Sequence, residues 1–270
     1  MDAGGEAMTR KEKTAKLMIC EPVYGDQPRQ HWDWLSKILQ AAGTPDTSVD
    51  FVNLKHGYKV MRTYTRTYNS ISVAQMAIEA EKKGYDGFII GCASDLGMRE
   101  ARSMVDIPII GSTEATTLLA CTLGNKFSVI TTDPTACART ENLIKSYGLG
   151  DRIASVRHVE GLTAHQNFAM MKEGQEQQQK LVEMFTETMM KAIRDDGAEV
   201  LYASCLPTSS MLTMHGVYEV DGAPVISMFA AALKLAETMV SFKRAYGTVV
   251  CKKSIYLGPH EGWENELETN

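Results

Sequence analysis

Two segments of the 270-residue chain carry one pattern, Gly84-Tyr-Asp-Gly-Phe-Ile-Ile-Gly-Cys92 and Gly197-Ala-Glu-Val-Leu-Tyr-Ala-Ser-Cys205. In each, a cysteine stands eight residues after a glycine at the end of a short apolar run, and the two thiols lie 113 positions apart. Flanking pieces repeat at nearly the same distance. Lys16-Leu-Met-Ile-Cys20 returns 110 positions later as Lys126-Phe-Ser-Val-Ile130, and Ile107-Pro-Ile-Ile110 returns 116 positions later as Ala223-Pro-Val-Ile226. A chain made of two such halves must build equivalent strands twice. If the halves face each other, one cysteine stands on either side of a shared cleft, the layout that acid and base need on opposite faces of one carbon.

Apolar runs of strand length fall at 17–22, 49–54, 86–91, 107–110, 127–131, 153–159, 198–203 and 224–227, with helical periodicity between them. Strand alternating with helix, and strands apolar almost throughout, predict an α/β fold with parallel sheets buried on both faces. The expectation is two similar doubly wound lobes, each with a roughly four-stranded parallel sheet, and an active site in the cleft between them. Residues 17–115 plus 228–270 form the first lobe with its closing helix at 227–246, and residues 116–227 form the second. Residues 1–16, polar and rich in small and charged types, read as a disordered leader. A long helix over 162–195 is expected to loosen at Gly174. Helix starts at Ser94-Asp95 and Thr208-Ser209 would set both thiols near helix N-termini. There the backbone N–H groups of Ala93, Ser94, Leu206 and Thr208 could meet substrate charge, while Pro207 has none to offer.

Several function classes drop out. A formal net charge of −5 argues against nucleic-acid or anionic-membrane partners. No run approaches the roughly 18 apolar residues of a membrane span, and the N-terminal segment lacks the apolar stretch of a signal peptide, which together read as a cytoplasmic protein. The six cysteines show no C-x-x-C spacing and there is no His-Glu-x-x-His, so neither a metal site nor a disulfide framework is indicated. No phosphate-cradling glycine motif supports nucleotide binding. The partner left is a small molecule.

A carbon acid beside a carbonyl gives up its proton reluctantly, and inverting it takes a base on one side and an acid on the other. A thiolate stabilised near a helix N-terminus and a neutral thiol opposite would supply both. Cys92 and Cys205 are the candidates, Cys20 and Cys121 read as core residues, and Cys137 and Cys251 carry no companion signal. His56, Lys59, Arg62 and Arg66, interleaved with Tyr58, Tyr64 and Tyr68, read as a solvated face or a subunit contact, with a cleft gate that attracts acidic substrates as the alternative. His165 and His215 read as locally hydrogen-bonded, and Glu114 as a helix-start residue.

Gly91-Cys-Ala-Ser-Asp-Leu-Gly97, Arg99-Glu-Ala-Arg102, Val105-Asp-Ile-Pro-Ile-Ile-Gly-Ser-Thr-Glu-Ala115 and Gly124-Asn-Lys-Phe-Ser-Val-Ile-Thr-Thr132 resemble consecutive blocks of the aspartate/glutamate/hydantoin racemase superfamily, most closely its hydantoin racemase branch. The resemblance runs from about Leu17 to Tyr246 and is most specific over 86–132. It implies an isomerase of two α/β lobes that needs no cofactor or metal, is a homo-oligomer, and works through paired cysteines at the positions of Cys92 and Cys205. It also implies that Thr131 and Thr132 face the cleft. Where the family's first strand ends in an Asn-Pro-Asn type turn that helps hold substrate, this chain has Glu21-Pro22-Val23-Tyr24, with Tyr24 a candidate substrate contact. Leu206-Pro-Thr-Ser-Ser210 likewise replaces a small glycine-containing turn, which points to a substrate of different shape.

The leading expectation is a racemase or epimerase acting on a hydantoin-like ring or related amide or carboxylate. A cis–trans isomerase in which one cysteine adds to a double bond is the near alternative, a malonate-type decarboxylase a more distant one. A ligand-binding sensor without turnover is the non-enzymatic alternative.

Overall fold

A computed structural model of the chain describes residues 15–24, 29–59, 62–247 and 250–263. The expected leader at 1–14 lies outside the described residues, while Ala15 and Lys16 already belong to the first strand. In chain order the first half contains β1 (Ala15–Tyr24), α1 (Arg29–Ala42), β2 (Thr47–Leu54), α2 (Thr63–Lys82), β3 (Gly87–Ile90), α3 (Met98–Met104), β4 (Ile109–Gly111) and α4 (Ser112–Leu123). The second half contains β5 (Phe127–Thr131), α5 (Pro134–Ser146), β6 (Ile153–His158), α6 (Ala164–Lys172), α7 (Gln175–Asp196), β7 (Val200–Ala203), α8 (Leu206–Met214), β8 (Glu219–Val220), β9 (Ala223–Pro224) and α9 (Met228–Tyr246). Among the described residues no helix is long and apolar enough to cross a membrane.

The duplication in the sequence is a duplication of topology. A four-stranded parallel sheet has the order β2-β1-β3-β4, and a three-stranded parallel sheet the order β6-β5-β7. The expected fourth strand of the second sheet survives only as one parallel bridge between Leu201 and Val225 and a hydrogen bond from Ile226 N–H to the Leu201 carbonyl. Two local features cut it short. Asp221 and Gly222 both take positive φ, 50° and 82°, and close a two-residue hairpin that pairs β9 with β8 instead. Pro224 has no N–H with which to extend a ladder.

Strand alternation sorts the apolar residues between core layers. Leu17 and Ile19 of β1, Ile89 of β3, Phe127 and Val129 of β5, and Val200 and Tyr202 of β7 enter one central cluster. Their neighbours Met18, Cys20, Phe88 and Ile90 turn to the far side of the first sheet, and Ile130, Leu201 and Ala203 to the far side of the second. The central cluster is closed by α9, whose Met228, Phe229, Ala232 and Ala236 are buried. The helix at 227–246 is expected from the spacing of Met228, Ala231, Ala232, Leu235, Ala236 and Met239, of which Leu235 and Met239 are only partly buried. The expected lobe boundary at 115/116 falls within α4, which carries the chain from β4 to β5. Gly174, at φ 105°, separates α6 from α7 as expected.

The expected helix starts are displaced in opposite directions. After Cys92 the chain makes a turn, and α3 begins only at Met98, with Gly97 in the left-handed conformation at φ 71°. A Cβ on Gly97 would stand 2.3 Å from the Ser70 carbonyl oxygen of α2. Gly97→Ala is therefore expected to cost about 2 kcal/mol or more, from the unfavourable φ and the clash together, read as a lowered urea midpoint at unchanged slope. After Cys205, by contrast, α8 starts at once at Leu206, because Pro207 fits the first helical turn without forfeiting a hydrogen bond.

Candidate active site

Because parallel sheets present their strand ends to one side, the ends of β1, β3, β5 and β7 converge on a cavity of about 780 Å³ between the lobes. Glu21, Pro22 and Val23 close it from β1, and Gly91, Cys92, Ala93 and Ser94 from the end of β3. The second half contributes Thr132 and Asp133 after β5, and Ser204, Cys205, Leu206 and Pro207 after β7. Both thiols therefore line one volume, of the size that takes a small organic molecule.

Each sulfur is supported by its own half, and the two supports differ in charge. The Ser94 N–H and hydroxyl favour the ionised form of Cys92, and the Ser94 oxygen accepts from Arg66 Nη1 of α2 at 2.8 Å. Thr208 plays the same part for Cys205 through its N–H and hydroxyl, but its oxygen accepts from the neutral Asn167 Nδ2 of α6 at 2.9 Å. Burial raises both thiols. Cys205 is pushed up to about 12, whereas the Arg66 guanidinium pulls against burial at Cys92. Burial, opposed by Cys92 and reinforced by Arg139, lowers Arg66 in turn. Cys205 also sits at φ 156°, a conformation rare for a side-chain-bearing residue, held by Ser204 N–H on the Ile130 carbonyl and by Ser209 N–H on its own carbonyl.

Ala93, Ser94, Leu206 and Thr132 are brought to the same cavity, and Thr208 lies directly behind Cys205 with 1 % of its surface exposed. Thr131 is not brought there. Successive residues at a strand end point to opposite sides, and its hydroxyl instead meets the Asp133 carbonyl and Cys137 Sγ. The side chain of Tyr24 lies outside the described residues. Asp95 does not cap its own helix, as its place beside Cys92 suggested. Its carboxylate accepts from the N–H groups of Thr113 and Glu114, in the first turn of α4, and from the Tyr147 hydroxyl. Burial raises it to about 6 despite these bonds.

Sequence reasoning missed much of the cavity's charge. Arg66 and Lys59 line it, as the cleft alternative has them and not the solvated face preferred for that stretch, and Arg139 of α5 and Lys172 of α6, not singled out in the sequence, join them against the acids Glu21 and Asp133. The spacing of Arg62 and Arg66 is a signal that α2 has a basic side, but nothing in the local sequence says that this side meets the cleft. Tyr58, by contrast, packs edge-on against Tyr64 and Tyr68 on the surface. His215 bonds Gln178, as expected of a locally satisfied histidine. Glu114 pairs with Arg102.

Residues 33–236 match the model of the Asp/Glu/Hydantoin racemase family, a span holding both cysteines and three-quarters of the chain. The chain belongs to the Asp/Glu/hydantoin racemase family. A hydantoin racemase from Pseudomonas sp. (strain NS671) is 30% identical over 203 residues, covering 74% of this chain and 77% of that protein. Among solved structures, an allantoin racemase from Klebsiella pneumoniae superposes with a TM-score of 0.77 at 21% identity, over 92% of this chain and 94% of the other. A glutamate racemase from Bacillus anthracis gives 0.60 at 13%, over 86% and 83%. The two-lobed α/β racemase fold is thus shared well beyond recognisable sequence identity. The family match begins after Glu21 and its buried partner His31, so this corner of the cavity is read from the chain's own geometry.

Proposed function

We propose that this member of the racemase family inverts a carbon α to a carbonyl, in a hydantoin-like ring or a related amide, with Cys92 and Cys205 as its acid and base. The observation that carries the reading is that the two sulfurs, from equivalent strand ends of the two halves, line one cavity. Arg66 makes Cys92 the thiol that ionises more readily, so Cys92 takes the α-proton. Cys205, pushed up to about 12, stays protonated and returns a proton to the opposite face. Negative charge moving onto the carbonyl oxygen meets the N-terminal end of α8, where first-turn N–H groups have no helical acceptor. Both protons travel on the chain's own sulfurs, so the reading assigns no cofactor. A decarboxylase that protonates one face would leave the second thiol without a task. A homo-oligomer in the cytoplasm completes the proposal.

The test is chiral chromatography of optically pure 5-substituted hydantoins incubated with the protein. Loss of optical purity is expected, with kcat/KM rising about tenfold per pH unit through neutrality, since burial holds the Cys92 thiol above its ordinary value and each unit adds tenfold more thiolate. Hydantoins left untouched while maleate becomes fumarate would replace this reading by the cis–trans isomerase. A rate that falls as pH rises from 6 to 8 would contradict the thiolate base.

A further inference from the structure

Glu21 ends the regular part of β1, where the register with β2 breaks, and its side chain is one of the most enclosed charged groups facing the cavity, with 4 % of the residue exposed. One carboxylate oxygen is bonded to Nε2 of His31, on α1, itself 3 % exposed. Among the described residues no lysine or arginine pairs with this carboxylate, although Lys59, Arg66, Arg139 and Lys172 all line the same cavity. Glu21, Cys92 and Cys205 line the same cavity, and the Glu21 charge adds, behind burial, to what disfavours ionisation of each thiol. An enclosed carboxylate in the cavity wall, with one oxygen bonded to His31 and no second side-chain partner among the described residues, needs a donor from whatever fills that space. A carbonyl or ether oxygen placed there would face like charge, whereas an N–H would complete the set.

We propose that Glu21, positioned by His31, is the acceptor for an N–H on the carbon that Cys92 and Cys205 address, and so restricts the site to substrates whose reacting carbon carries a nitrogen donor. This rests on the reading of the two thiols as the acid and base of the site. The geometry divides the substrate between two poles. The nitrogen bonded to the reacting carbon faces β1 and Glu21, and the carbonyl oxygen faces α8. Oxygen-for-nitrogen isosteres are rejected because a lone pair then opposes the carboxylate, and the buried acceptor is left unpaired.

Three rings of nearly one shape test this: 5-benzylhydantoin, its 1-methyl derivative, and 5-benzyl-oxazolidine-2,4-dione, in which oxygen replaces the nitrogen beside the reacting carbon. Binding is read without turnover, as protection of Cys92 and Cys205 from iodoacetamide, followed residue by residue by mass spectrometry. The wild-type protein is expected to bind the hydantoin at least tenfold more tightly than either of the other two. Glu21→Gln, whose amide can donate as well as accept, is expected to bring the oxygen ring within about threefold of the hydantoin. The wild-type comparison stands even if the variant does not fold. Equal protection by all three rings, protection by none, or a preference unchanged in a folded Glu21→Gln would overturn the assignment. Optical purity is followed separately: N–H selectivity without racemisation keeps the Glu21 site and removes the racemase reading, while racemisation without selectivity does the reverse.

Discussion

Cys92→Ser and Cys205→Ser are each expected to slow inversion of the α-carbon by about a thousandfold, within the range that removal of a positioned acid or base commonly costs. Serine keeps the shape and can still be bonded by Ser94 or Thr208, but its hydroxyl neither ionises to a useful base nor releases a proton as readily as the thiol. The two losses are not interchangeable. Cys205→Ser retains the Cys92 thiolate with Arg66 behind it, so this variant should still exchange the α-proton of one enantiomer with solvent while failing to convert it. Cys92→Ser should lose exchange on that face. Both variants should melt close to the wild type, since each substitution removes no buried methyl group. Racemisation near the wild-type rate in both variants would show that neither sulfur carries the proton.

The second large effect concerns stability. Asp95→Ala removes the acceptor for the Thr113 and Glu114 N–H groups and for the Tyr147 hydroxyl, joining the turn after Cys92 to α4 and to the end of α5. Each orphaned donor costs about 1–3 kcal/mol, so a loss of about 3 kcal/mol or more is expected at low pH. The pH dependence has a definite sign. Burial raises the folded-state pKa of Asp95 from 3.8 to about 6, so the folded protein binds this proton more tightly than the unfolded chain does. That stabilisation is complete below pH 3.8 and is lost as pH rises through 6, an amount on the order of 3 kcal/mol. The gap between wild type and Asp95→Ala should therefore narrow by about 1 kcal/mol between pH 5 and pH 7 in parallel urea titrations. A gap that widens over that interval would mean that Asp95 is held as a stabilised carboxylate. Gly111 belongs to the same arrangement, because a Cβ there would stand 2.5 Å from the Asp95 carboxyl.

What could be read in the sequence was what repeats and what alternates. The apolar runs of β1, β3, β5 and β7 are visible because their centres, 17–22, 87–90, 127–131 and 200–203, are buried throughout, and their repetition alone places Cys92 and Cys205 at equivalent ends. The missing fourth strand was partly legible as well. Val220-Asp-Gly-Ala223 is a hairpin signature, and it competes with the apolar run that follows. The electrostatics were not legible. Arg66 reaches Cys92 only because α2 crosses behind the turn after β3, and Arg139 meets the same cavity from the other half. Asp95 caps a helix that begins seventeen residues later, through space. Such contacts are set by how the halves pack, which local spacing does not encode. Thr131 is the converse case: strand alternation alone would have turned it from the cleft, had the adjacent Thr132 been taken as the inward residue.

The most direct measurement is the proton NMR spectrum of an optically pure 5-substituted hydantoin turned over in deuterium oxide, sampled early and separated by enantiomer. Two thiols on opposite faces should give product enantiomer bearing deuterium at the reacting carbon, while recovered starting enantiomer keeps its proton beyond the uncatalysed background. Deuterium appearing equally fast in both enantiomers, or product formed with its original proton retained, would mean that a single group works one face, and the paired-sulfur account would be wrong.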